Sequence, residues 1–483
     1  MELSVPNNHN YYEENPLSVT HLIEQTGIRS KTKSRKLISD LFSSVYELKT
    51  NSASVEKLQI VGFKNQKNTL AEENLILKLY TKENANNEKE YFIQSGLFSG
   101  AVYYKGCKFN ITTRHGDVFL RRMLNFVNDI YINTEKSKAS KKEEQNEFQY
   151  IIAYLFIQSL EKASVLGLPK EYQSITQRSH KVRGKIDLNA YLKKDIPFRG
   201  KLTTTYREQI YIQEIIDVLY LTVKRLQKKF GNDINNKLFS VSQLLKQNYS
   251  GRFANMETLR KAKNHRILSN PMYASFKKVI EYAEIILLER DLSPKETNNN
   301  LETSGYLFDI SQLFEVYLEK LLSRHFQDWY VTGQEELKLY NGLFYSRKML
   351  PDLVLKHKYS NKIIVFDAKF KTMKLETKQS KYSDLDRSDF YQIHTYMQYY
   401  QPDVIIGGLI YPLSKPLNKE KAYSNSLFGK GDSKTSKFIV DGVFVNENMT
   451  MEDLLNSEKA FLMRIELLIE NSLSIKDQYL KVI

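Results

Sequence analysis

The run Ile363-Ile-Val-Phe is wholly apolar, is mostly β-branched, and ends on Asp367-Ala368-Lys369. A short run of this kind is what a central strand buried on both faces requires. Residues 404–411 form a second such run. Between them, residues 388–400 read as a helix that Pro402 stops. Upstream, residues 306–323 place Ile310, Leu313, Phe314, Tyr317, Leu318 and Leu321 on one helical stripe. Residues 336–345 are strand-like around an Asn341-Gly342 hairpin signal, and residues 350–355 give a further strand. This order predicts an α/β layer of helices against a mixed sheet.

The rest of the chain differs. Residues 1–35 read as irregular, with Asn7, Asn8, Asn10, Glu13 and Glu14 forming no apolar face. Residues 37–48 suggest a short amphipathic helix, and residues 58–111 alternate in short runs separated by Gly62, Gly96, Gly100 and Gly106. Residues 117–132 read as a helix, as do 148–167, 206–230, 235–247 and 274–290, while 184–197 is mixed. Polar stretches at 135–147 and 292–305 divide the 483 residues. The expectation is an α+β multidomain chain. It has a β-rich domain over 1–134, a mainly helical basic domain over 148–291 and an α/β domain with a mixed sheet over 305–483.

The chemistry concentrates in the third part. Asp367 and Lys369 are two apart on a strand and point to one side of the sheet, while Asp352 begins the neighbouring strand. Two carboxylates meeting at one end of adjacent strands make a hard-oxygen site suited to Mg²⁺. A lysine beside them can polarise a water or stabilise charge on a phosphate, as metal-assisted phosphodiester hydrolysis needs. The competing reading is an Asp367–Lys369 surface pair at a strand end. Glu315 sits beside the apolar stripe of the upstream helix, and Gln392 and Tyr396, four apart, share one helical face.

The set Glu315, Asp352, Asp367-x-Lys369 and Gln392-x-x-x-Tyr396 resembles the PD-(D/E)XK nuclease superfamily in its Q-x-x-x-Y subgroup. The words FDISQLFEVYLEKLL, LPDLVL, IIVFDAKFK and RSDFYQIHTYMQYY resemble the McrC subunit of McrBC-type, GTP-dependent restriction systems. RHGDVFLRRML, KVRGKIDLNAYLKKDIPFRGK and YREQ resemble the LlaJI branch of that group. The nuclease resemblance spans residues 305–412, and a looser one spans 95–290. It implies that Asp352, Asp367 and the Ala368 carbonyl bind Mg²⁺, that Lys369 orients the attacking water and that Glu315 reaches the metal site. Gln392 and Tyr396 would brace the site or touch the DNA backbone. It also implies double-stranded DNA as substrate and an AAA+ GTPase ring as partner.

Charge supports a polyanionic partner. The chain has 71 Lys+Arg against 56 Asp+Glu, a formal net charge of +15. Residues 178–207 hold nine cations against Asp187 and Asp195. Arg178, Lys181, Arg183, Lys185, Arg199 and Lys201 are candidate DNA contacts there, although the segment equally suits the partner ring. Lys371 and Lys374 extend the basic edge of the proposed site, and the Arg114-His115-Gly116 turn is a candidate partner contact.

The sequence has no Gly-x-x-x-x-Gly-Lys-Ser/Thr; the nearest stretch, GKGDSKT at 429–435, has Ser433 where the glycine is needed. The chain is therefore expected to bind no nucleotide, with GTP on the partner. No apolar run is long enough to span a membrane, and the single Cys107 excludes an internal disulfide, so a cytoplasmic protein is expected. Three readings remain open: a Mg²⁺-dependent restriction endonuclease subunit that stimulates its GTPase, a non-cleaving adaptor with a nuclease-like fold, or a nuclease acting alone or on RNA.

Overall fold

The computed structural model describes residues 1–10, 15–26, 28, 30–52, 58–61, 63, 75–128, 146–230, 233–253, 255–288, 304–333, 335–339, 347–371, 386–417, 424–426 and 436–480. They divide into two units, Met1–Tyr131 together with Thr297–Ile483, and Ile132–Glu296. The division points at 135–147 and 292–305 lie almost wholly outside the described residues, as do the Asn341-Gly342 turn, Lys374 and residues 429–435.

The N-terminal segment carries β1 (Glu2–Pro6), α1 (Val19–Gln25), α2 (Lys31–Leu41), β2 (Tyr46–Lys49), β3 (Leu58–Val61), β4 (Leu75–Glu83), β5 (Lys89–Ser95), β6 (Phe98–Tyr104), β7 (Cys107–Thr112) and α3 (Asp117–Asn128). The expected irregular start is corrected by β1, which pairs in parallel with β7 from Glu2↔Lys108 to Pro6↔Thr112. Leu3 and Val5 alternate into the core while Glu2 takes Lys108 and Asn110 as partners. The helix expected at 37–48 starts and stops earlier. Ser30 caps α2 by accepting from the Lys33 N–H, and Tyr46–Lys49 pairs with β4 instead.

The second unit carries α4 (Asn146–Ser164), β8 (Lys170–Ser179), β9 (Lys185–Ile186), the short α5 (Leu188–Ala190), β10 (Leu202–Tyr211), α6 (Gln213–Phe230), α7 (Asp233–Asn248), α8 (Met256–Lys263) and α9 (Phe276–Leu288). The expectation of a mainly helical region holds for α4 and α6–α9, but the helix expected from Tyr206 does not begin there. Residues 202–211 pair antiparallel with β8 along their whole length, from Leu202↔Ser179 to Tyr211↔Lys170. The Thr203-Thr-Thr-Tyr run is β-branched and aromatic, and it buries Thr203 and Thr204 against the pairing.

Residues 304–480 return to the first unit. They form β11 (Ser304–Asp309), α10 (Ile310–His325), β12 (Trp329–Gly333), β13 (Leu337–Leu339), β14 (Arg347–Met349), β15 (Leu353–His357), β16 (Ile363–Ala368), α11 (Arg387–Tyr399), β17 (Val404–Leu413), β18 (Ser424–Ser426), β19 (Lys437–Phe444) and α12 (Met451–Leu480). Residues 306–309, expected as helix, are strand. Strand β11 joins the N-terminal sheet, whose order is β1-β7-β6-β11-β3. It can lie there because Gly305, at φ +149°, has no Cβ; one would stand 2.1 Å from the Ala101 carbonyl oxygen. Asp309 then caps α10 by accepting from the Gln312 N–H.

A six-stranded mixed sheet, β12-β15-β16-β17-β19-β18, carries the site. Strands β15 and β16 are antiparallel, while β16–β17 and β17–β19 are parallel. Val365 faces α11 within one apolar cluster of Ile393, Tyr396, Met397, Val404 and Leu409. Helix α11 approaches closely because Gly407 lacks a side chain; a Cβ there would meet the Met397 sulfur at 2.3 Å. Buried Glu458 of α12 receives a bidentate Arg122 guanidinium from α3 at 2.7 Å and the Tyr317 hydroxyl from α10 at 2.6 Å. The N- and C-terminal segments are thus tied by a buried polar network as well as by β11. Among the described residues, no helix is long and apolar enough to cross a membrane.

Candidate active site

Register decides which side chains meet. Leu353 lies opposite Phe366 in the β15–β16 ladder, so the next pair outward is Asp352 with Asp367. The Ala368 N–H donates to Asp352 Oδ2 at 2.9 Å, which holds the first carboxylate at the mouth of the second strand. Asp367 is 1% exposed. Alternation then sends Asp367, Lys369 and Lys371 toward α11, and Phe370 the other way. Phe370 is buried against Phe314 of α10 and His115, with ring centroids 5.4 and 5.2 Å away. The ladder continues past the strand end, where the Lys369 N–H donates to the Ile410 carbonyl at 2.9 Å.

The Lys369 ammonium is enclosed by acceptors. Asp367 Oδ2 is 2.7 Å away, Gln392 Oε1 3.0 Å and Asp389 Oδ1 3.6 Å. Gln392 is oriented in turn, because its Nε2 donates to the Tyr396 hydroxyl at 2.9 Å and that hydroxyl reaches the Leu350 carbonyl at 3.4 Å. The spacing of four that joined Gln392 and Tyr396 in the sequence is therefore a hydrogen-bonded relay that terminates on the lysine.

The electrostatics are those of buried, coupled groups. Burial first, and the Asp352 carboxylate second, push Asp367 well above the ordinary aspartate range, against the pull of Lys369. For Lys369, burial works against the charged form, but Asp367 and Asp352 outweigh it and hold the ammonium above the usual lysine value. Burial pushes the Tyr396 hydroxyl up to about 12.

Two carboxylates and a backbone carbonyl are hard oxygen donors of the kind Mg²⁺ takes. Asp367 Oδ2 is buried and accepts no well-directed hydrogen bond, although Lys369 stands beside it as counter-charge. A divalent ion at that oxygen would have to share it with the ammonium. Among the described residues, no three acidic, histidine or cysteine side chains converge to hold a metal, so Asp352 and Asp367 meet as a pair. Glu315 is half-buried on α10, a helix packed against β16, and is not gathered with them into one three-carboxylate group.

Several residues are placed otherwise than their sequence neighbourhood suggested. Lys371, expected on an open basic edge, is 17% exposed and paired with Asp386 and Asp389. In the Arg114-His115-Gly116 turn, a candidate partner contact or a plain loop before a helix, His115 folds inward; burial, helped by Arg114, depresses the imidazole to about 4. In the second unit, Lys181, Arg183, Lys185, Arg199 and Lys201 are all exposed on or beside β8–β10. Arg178 is instead tied to buried Asp195 at 2.7 Å and to the Lys194 carbonyl at 2.9 Å.

Asp386 and Asp389 were missed. Asp386 caps α11 by accepting from the Ser388 N–H at 2.9 Å. Asp389 is 5% exposed and lies between the two lysines. A signal existed, because Asp389, Gln392 and Tyr396 follow the i, i+3, i+7 spacing of a single helical face.

The family model described as "McrBC 5-methylcytosine restriction system component" matches residues 55–412. Among curated proteins none matches. One solved structure that the chain resembles is the refined half-complex from a tetradecameric assembly of Thermococcus gammatolerans McrB AAA+ hexamers with bound McrC. The identity is 14% and the TM-score 0.49, covering 97% of this chain and 100% of that one. A second, the cryo-EM structure of the Thermococcus gammatolerans McrBC complex, gives 15% identity and a TM-score of 0.30, covering 67% and 88%.

Proposed function

The chain belongs to the McrBC 5-methylcytosine restriction system component family, and from that premise we propose that it is the DNA-cleaving subunit of such a system, with a PD-(D/E)XK nuclease core. The observation that carries the reading is the register-fixed meeting of Asp352 and Asp367, with Lys369 braced beside them by Gln392 and Tyr396. Three of these groups are ionic and sit at a strand end instead of in open solvent. A merely structural Asp–Lys pair needs neither the second carboxylate nor the relay behind the lysine.

Asp352, Asp367 and the Ala368 carbonyl would hold Mg²⁺, which when bound would polarise a phosphodiester and lower the pKa of a water. The Lys369 ammonium stabilises the negative charge that grows on the phosphate oxygens as water attacks. The Gln392–Tyr396 relay fixes the orientation of that ammonium before substrate arrives, so no reorganisation is needed during the reaction. The exposed cations Lys181, Arg183, Lys185, Arg199 and Lys201 supply sequence-independent contacts to double-stranded DNA. Nucleotide hydrolysis falls to a separate AAA+ GTPase ring that this chain stimulates, since it carries no phosphate-binding loop of its own. The compartment is the cytoplasm, where such a system meets incoming DNA.

The test is cleavage of double-stranded DNA by the chain with its ring partner, comparing wild type with Asp367→Ala and Lys369→Ala. Cleavage that needs Mg²⁺ and GTP and is lost in both variants is the expected result. Cleavage unchanged in both variants removes the site from the chemistry. GTP hydrolysis stimulated without any cleavage by the wild type makes the chain an adaptor.

A further inference from the structure

Asp389 has no part in the metal set just proposed, yet it is buried against the catalytic lysine. Its Oδ1 lies 3.6 Å from Lys369 Nζ, and its Oδ2 contacts Lys371 Nζ, which also reaches Asp386 Oδ2 at 3.3 Å. Among the described residues, Oδ2 of Asp389 accepts no directed hydrogen bond, so its interactions are with charge. A buried carboxylate is retained at a cost in desolvation unless something nearby needs its charge.

The need appears when a cation binds. Lys369 is the counter-charge of Asp367, 2.7 Å away. A divalent ion on Asp367 competes for that carboxylate and repels the ammonium, and at these separations inside a protein such repulsion is large. Lys369 then stays in place only if a second anion holds it. With all four ionised, as a bound metal would require of Asp367, Asp352, Asp367, Asp386 and Asp389 set against Lys369 and Lys371 leave two negative charges, the number that one divalent cation neutralises.

Building on the nuclease reading, we propose that Asp389 is a positioning residue that holds Lys369 at the site while the metal is bound, allowing the lysine and the divalent ion to occupy it together. Gln392 fixes the direction of the ammonium; Asp389 supplies the charge that Gln392 cannot.

The experiment measures Mn²⁺ binding to the full-length chain by electron paramagnetic resonance of the free ion. Mn²⁺ serves as the probe because it takes the same oxygen donors as Mg²⁺. Asp389→Asn, which keeps the shape and removes the charge, is expected to weaken Mn²⁺ binding about tenfold, or ~1.4 kcal/mol. In the Lys369→Met background, where no ammonium remains to be repelled, the same substitution is expected to change binding less than twofold. Asp389→Glu is expected to restore most of the affinity, and thermal unfolding of each variant checks that the fold is kept. An equal loss with and without Lys369 overturns the proposal, since Asp389 would then act as a ligand or as a packing residue. No loss in Asp389→Asn overturns it as well. Failure of the metal reading itself shows separately, as Mn²⁺ binding unaffected by Asp352→Asn and Asp367→Asn.

Discussion

The chain holds its cations in two settings. At the end of β16, Lys369 and Lys371 are 19% and 17% exposed and pair with the carboxylates of Asp367, Asp386 and Asp389. Around β8–β10, Lys181, Arg183, Lys185, Arg199 and Lys201 project into solvent. A long side chain in solvent keeps its rotamers and pairs weakly, so it suits a partner whose own charge is dense and whose sequence does not matter. A lysine enclosed by acceptors has lost that freedom already and suits a task needing one fixed position. Arg178 shows that the boundary is not drawn by sequence position. It lies within the exposed group yet is fixed on Asp195, whose carboxyl, despite burial, is held below the ordinary range by the Thr203 N–H and by Arg178 itself.

The largest effect separating the settings is expected at the enclosed site. Lys369→Ala should lower the cleavage rate by about 100- to 1,000-fold, the scale of losing a preorganised charge stabiliser, while DNA affinity measured by anisotropy stays within about twofold, because the group does chemistry and does not position phosphates. A comparable loss of affinity would place Lys369 among the DNA contacts and erase the distinction.

Next in size is the exposed group. Replacing Arg183, Lys185, Arg199 and Lys201 together by Ala should weaken DNA binding at low salt by about 10- to 100-fold, and flatten the salt dependence by roughly 0.9 logarithmic unit per contact removed. Unchanged DNA affinity and slope, with weaker ring binding, would assign this surface to the partner.

A smaller effect comes from Asp367, whose pKa is raised by burial and by Asp352. Its folded form favours the neutral carboxyl, so its contribution to stability is full below the ordinary aspartate pKa of about 3.9 and is lost as pH rises through the raised folded value. In a chelating buffer, the melting temperature of wild type minus that of Asp367→Asn should therefore fall steadily as pH rises from acid to neutral. A difference independent of pH would mean that the carboxyl is not perturbed. The smallest effect is expected at exposed Lys185, where Ala should change unfolding free energy by less than about 0.5 kcal/mol, the usual range for a surface substitution.

Much of the site was legible in the sequence because it is local. The apolar run before Asp367 fixes a buried strand, alternation puts Asp367 and Lys369 on one face, and a spacing of four joins Gln392 to Tyr396. These relations follow from the periods of strand and helix and need no knowledge of the rest of the chain. Asp389 obeyed the same helical period and still went unread, because a carboxylate in the first turn of a helix looks like an ordinary favourable dipole contact. Only the packing of α11 on the sheet, permitted by Gly407 of β17, shows that this one faces two half-buried lysines.

What remained for tertiary structure was non-local. Nothing near Leu3 and Val5 reports that they pair with a strand more than a hundred residues away, or that Ser304–Asp309 is a strand of the N-terminal sheet. Nothing near Lys371 tells whether its ammonium meets a phosphate or two aspartates. The sequence by itself determined the elements and the residues able to do chemistry, because periodicity and residue type are properties of short segments. The tertiary structure decided which charges are enclosed and which are left to solvent, because burial and Coulomb interaction depend on distances between segments that the chain order does not contain.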